Sequence, residues 1–90
     1  MDEFTFLKKF SILESHLRSK FPEFERRPFP ELLSYLKRKK LLPLGILFDL
    51  FWIWDVRCSI FGKSLKKPKI PAEMQLIFKE LGKYFKLKYV

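Results

Sequence analysis

Residues 41–62, LLPLGILFDLFWIWDVRCSIFG, constrain the fold more than any other stretch of this chain. They hold both tryptophans and the single cysteine, and only Asp49 and Asp55 interrupt them with negative charge. A membrane span needs roughly 20 apolar residues in succession. Residues 41–54 fall short of that and are broken by Pro43, Gly45 and Asp49, so a buried helix is the expectation and no span is. At 100° per residue, Leu47, Leu50, Phe51, Trp54, Cys58 and Phe61 share one broad face. Asp49, Ile53, Val56 and Ile60 share a second, with Arg57 at its edge. A helix that is apolar on two sides is buried on two sides. In a chain of 90 residues the second burial is most simply supplied by another copy. Asp49, Ile53, Val56 and Ile60 are therefore the expected dimer interface.

The flanking segments read as amphipathic helices that wrap this spine. Phe6, Phe10, Leu13 and Leu17 recur at the spacing of one helical face, Asp2 can cap that helix, and Glu14 and Arg18 stand four apart as a surface pair. Residues 22–30, PEFERRPFP, carry three prolines and form a connection, with Phe24 and Phe29 tucked onto the core. Pro30 opens a second helix with apolar edge Leu32, Leu33 and Leu36. Pro43 starts the long third helix and Gly62 ends it. Pro71 opens a fourth, whose stripe is Met74, Ile77, Phe78, Leu81 and Phe85. No segment alternates as a hairpin would. The expected fold is a single all-α domain over residues 1–90, an antiparallel up-and-down four-helix bundle.

Charge and chemistry narrow the function. One cysteine excludes an internal disulfide, and no Cys/His cluster stands ready for zinc, so neither metal nor cofactor is expected. The absence of a leader-like N-terminus and the lone cysteine fit a reducing cytoplasm. A formal net charge of +9 points to an anionic partner such as RNA, DNA or a nucleotide phosphate, or else to a lysine-rich solvated surface. Lys37, Arg38, Lys39 and Lys40 form the densest basic run, which complements a helix C-terminus and could also hold phosphate. Lys63, Lys66 and Lys67 make a basic loop after Gly62. His16 is the only histidine and reads as a partly exposed surface residue beside Glu14.

The order of these features resembles a known family. A first helix carries Ile12-Leu13-Glu14 and Leu17-Arg18, and a short helix carries Glu31-Leu32-Leu33-Ser34-Tyr35-Leu36. A Leu41-Leu42 turn leads to a long helix ending Trp54-Asp55-Val56-Arg57 before Gly62, and a last helix begins at Ile70-Pro71-Ala72-Glu73. This is similar to the HEPN family, small all-helical domains of many prokaryotic ribonucleases and toxin–antitoxin systems. The family's signature is an Arg, usually with Asn or Asp next, and a His four to six residues on. Arg57 matches the arginine, Cys58 stands where Asn or Asp is expected, and Phe61, Gly62 or Lys63 occupies the histidine position. Handling the proton of a ribose 2′-hydroxyl needs a group that titrates near neutrality, which Phe and Gly lack. The resemblance thus implies a homodimeric relative that binds RNA or a nucleotide, or serves as a partner subunit, and does not cut. Arg57, Lys63, Lys66 and Lys67 would line its groove. The alternatives are a small basic DNA- or RNA-binding protein outside the family, with Lys37 to Lys40 and Arg26 and Arg27 as its anionic footprint, and a ribonuclease whose general base is displaced to His16 or a lysine.

Overall fold

A computed structural model describes residues 1–62 and 70–88. Among these residues the chain is all-helical: α1 (Glu3–Lys20), α2 (Phe29–Arg38), α3 (Leu44–Phe61) and α4 (Glu73–Phe85), with a short 3-10 turn at Pro22–Phe24. No helix among them is long and apolar enough to cross a membrane.

The two terminal helices fold as their periodicity requires. Asp2 accepts a 2.7 Å bond from the Thr5 N–H, and Phe6, Phe10, Leu13 and Leu17 are all buried. In α4, Met74, Ile77, Phe78, Leu81 and Phe85 are buried in the same way. Every fully buried side chain among the described residues is hydrophobic, and together they form one core. Each large member contributes roughly 1.5–3 kcal/mol by leaving water.

The path between helices departs from an up-and-down order. Phe10 meets Phe29 at 5.5 Å between ring centroids, and Phe21 meets Tyr35 at 6.1 Å. Contacts that advance along both helices mean that α2 runs in the same sense as α1. The connection at residues 21–28 makes this return, and Arg18 holds it. Its Nη1 donates to the carbonyl oxygens of Phe24 at 2.6 Å and Arg27 at 2.7 Å, with a longer 3.2 Å contact to Glu25. Its Nη2 donates to Glu14 Oε2 at 3.1 Å. Prolines at 22, 28 and 30 remove backbone donors from the segment, and one guanidinium supplies partners to the carbonyls they leave over. Beyond this crossover the chain does reverse: Phe29 packs on Trp54 at 5.7 Å, so α3 runs back along α2.

The α2–α3 turn is a Schellman closure. Lys40 adopts a left-handed conformation (φ 53), its N–H reaches the Lys37 carbonyl, and the Leu41 N–H reaches the Leu36 carbonyl at 3.0 Å. Gly62 ends α3 as expected, but in an extended rather than a left-handed conformation.

The faces of α3 require a correction. Its buried line is Leu47, Leu50, Ile53 and Val56. Ile53 and Val56, expected at a dimer seam, therefore lie in the chain's own core, while Asp49 and Ile60 are half-buried at its edges. Cys58 and Phe61, expected inward, are exposed. A helix apolar almost all round carries no phase information, so its pattern alone could not locate the arc that faces the core.

Candidate functional site

The hairpin of α2 and α3 turns two different surfaces outward. On α3, Leu44, Phe48, Trp52 and Asp55 fall within about 80° of arc, opposite the buried line. Leu44 is 59% exposed, Phe48 63% and Trp52 39%, with Leu41 exposed just before the helix. No Lys or Arg occurs in residues 41–56. The N-terminus of α3 has Pro43 as its cap residue, with no side-chain cap and no acid in its first turn. A Cβ added at Gly45 would meet nothing within 4 Å, so backbone there is open to close approach.

On α2 the outward surface is cationic and aromatic. Lys37, Arg38, Lys39 and Lys40 are all exposed around the helix end. Below them lies an open groove of about 430 Å³. Its rings are Phe24, on the loop that Arg18 pins, and Tyr35, 4.9 Å away between centroids. Arg27 stands 6.0 Å from the Phe24 ring and Arg38 6.0 Å from the Tyr35 ring. Pro30 and Ser34 line the groove between them, and Glu31 reaches to 3.6 Å from Arg27. Both members of that ion pair are well exposed, so it adds little to stability.

Arg57 belongs to neither surface. Its guanidinium lies 4.8 Å from the Trp54 ring centroid, 4.9 Å from Phe61 and 5.6 Å from Phe10, so it covers the Phe10–Phe29–Trp54 cluster. It forms no ion pair with Asp49 or Asp55 among the described residues. Asp55 is two residues earlier and hence about 200° round the helix from it. Nor does Arg57 meet the basic run: it sits late in α3, at the end of the hairpin where α2 begins, whereas Lys37, Arg38, Lys39 and Lys40 stand at the other end. Lys63, Lys66 and Lys67 lie outside the described residues.

His16 is half-buried, and its ring packs against Phe85 at 5.6 Å. Its Nε2 is buried with no hydrogen-bond partner among the described residues. Burial, and then the Lys20 charge, hold its pKa below the usual histidine value. Burial, and then Glu80, raise the Asp49 carboxyl above its usual range. No group of three or more His, Cys, Asp or Glu side chains able to hold a metal occurs among the described residues.

Sequence reasoning found the basic run and offered Arg27 with it as a residue facing an anion, but missed Phe24 and Tyr35 as groove residues. The interleaving of aromatics and arginines in FERRPF was the available signal. It also missed the structural role of Arg18, for which a pairing at i, i+4 gave no hint of three carbonyl partners. Comparison with family models, with curated proteins and with solved structures gives no match for the chain.

Proposed function

We propose that this chain is a HEPN-like binding module of the cytoplasm that pairs with a second copy and engages RNA without cutting it. One observation carries the reading: the two helices of the hairpin turn opposite chemistries outward. A largely apolar stripe with no cation suits another copy of the same stripe, because two chains of net charge +9 can meet there without opposing cations. A run of four exposed cations at the end of α2 suits phosphate.

Chemistry at the two residues able to suggest cleavage favours binding. Arg57 is committed to three aromatic rings. His16 has its Nε2 buried against the α1–α4 packing, where it cannot reach a substrate proton. The homodimer now rests on Leu44, Phe48 and Trp52, in place of the face first expected.

The test is RNA binding by fluorescence anisotropy across a salt series, with cleavage followed on the same samples. Affinity should fall steeply with salt, and replacing Lys37, Lys39 and Lys40 together by Gln should flatten that dependence, since each lost phosphate contact removes about 0.7 from the slope for a single strand. Cleavage should be equal for the wild type and Arg57→Ala. Salt-independent affinity, or cleavage by the wild type above that variant, would overturn the reading.

A further inference from the structure

We infer that the α2 groove is a seat for one unpaired base of a single-stranded RNA, with its flanking phosphates on the basic run; this rests on the RNA-binding reading above. The groove combines what a base needs and a duplex does not use. Phe24 and Tyr35 touch each other, 4.9 Å between centroids at a 45° tilt, so they present one outer aromatic surface on which a base can lie and no slot between them. The two guanidinium groups, at Arg27 and Arg38, border the rings from opposite ends of the groove. Planar cations and rings stack on bases of any identity. The volume of about 430 Å³ lies within the range of about 300–1,000 Å³ that small-ligand sites occupy.

Glu31 separates this occupant from an acidic peptide. Its carboxylate lies inside the groove, 3.6 Å from Arg27, and would repel a side chain that is only an anion. A base brings N–H groups from its Watson–Crick edge, which a carboxylate and the Ser34 hydroxyl can accept. In a duplex those edges are paired and the faces stacked, so the groove has nothing to take. Arg38 is both the second residue of the basic run and a wall of the groove, so the two sites are contiguous. A strand that leaves the groove over Arg38 meets Lys37, Lys39 and Lys40 next.

The experiment is anisotropy with a labelled single-stranded oligoribonucleotide of about 12 nucleotides, and with a duplex of the same length, at one salt concentration. The single strand should bind more tightly than the duplex. Tyr35→Leu and Arg38→Gln should each weaken single-strand binding by about 10-fold, while Tyr35→Phe retains it. Because Tyr35 also touches Phe21, helix content by circular dichroism accompanies each variant, and Arg38→Gln, on an exposed side chain, decides the matter if Tyr35→Leu unfolds. Equal affinity for duplex and single strand, or full single-strand affinity in Arg38→Gln and Tyr35→Leu, would overturn the groove while leaving the RNA-binding reading in place. Competition by a polyglutamate peptide as effective as that by RNA would also overturn the groove. Failure of both RNAs to bind would overturn the groove and the RNA-binding reading together.

Discussion

The outward faces of α2 and α3 belong to adjacent helices of one hairpin, yet they share no chemistry. The α2 face is built from cations and two rings brought together from different parts of the chain: Phe24 and Arg27 from the loop, Tyr35 and Arg38 from the helix. The α3 face is local, a stripe of Leu44, Phe48 and Trp52 on a single helix. A face assembled from two segments depends on whatever holds those segments, here Arg18. A face on one helix depends only on which way that helix is turned. The first can be lost without unfolding the core, and the second can be misread without misreading the helix.

The sharpest way to break this comparison is at the boundary between the inside and outside of α3. Ile53→Ala, in the core, should cost about 2–5 kcal/mol in urea denaturation. Its neighbour Trp52→Ala, at a ring that is 39% exposed, should cost the dissociated chain clearly less, about 1–2 kcal/mol. Comparable losses at the two positions would mean that the faces are wrongly assigned.

Next in size, Arg18→Met tests whether the α2 face is held from a distance. The variant keeps the aliphatic packing but leaves the Arg27 carbonyl without its donor and the Phe24 carbonyl with only the Arg27 N–H, at a cost of about 2 kcal/mol. Denaturation measures that cost. Protease sensitivity confined to residues 21–28, with α3 self-association intact, would separate the two faces. Loss of both together would show them to be coupled.

A smaller effect is expected at Lys40, whose left-handed backbone carries strain for a residue with a Cβ. Lys40→Gly should raise stability by about 1 kcal/mol and reduce RNA affinity at the same time. A rise in thermal midpoint without loss of affinity would remove Lys40 from the binding surface.

The smallest prediction concerns Asp49, at the edge of α3 beside Glu80. Its raised pKa means that the folded state disfavours the charged form, so the penalty is absent below the unfolded value of 3.8 and grows as pH rises through the folded value. Asp49→Asn should therefore raise the thermal midpoint near neutral pH, and the gain should vanish on acidification toward that unfolded value. An advantage that persists in acid would assign the effect to packing instead of charge.

How much of this was legible in the sequence follows from the same physics. The inner faces of α1 and α4 could be read residue by residue, because Phe6 to Leu17 and Met74 to Phe85 stand out against polar neighbours. The phase of α3 could not, since Ile53 and Trp52 are both apolar and only the arrangement of α1, α2 and α4 decides which is inside. The same sense of α1 and α2 was hidden for another reason. A proline-rich connection reads as a break, and nothing local says that Arg18 will fold it back along the helix it left. At the candidate site, the cations at residues 37–40 were visible as a run. Their union with Phe24 and Arg27 is a property of that crossover.

The central claim is that the outward stripe of α3 pairs two copies while the α2 face stays free. Sedimentation equilibrium from about 1 to about 100 µM tests it most directly, because dimer population follows concentration by mass action. The 11.0 kDa chain should approach twice that mass as concentration rises, and Phe48→Glu should hold it at the monomer mass with unchanged RNA affinity per chain. A wild-type chain that stays monomeric across that range would contradict the claim, as would a Phe48→Glu variant that still dimerises.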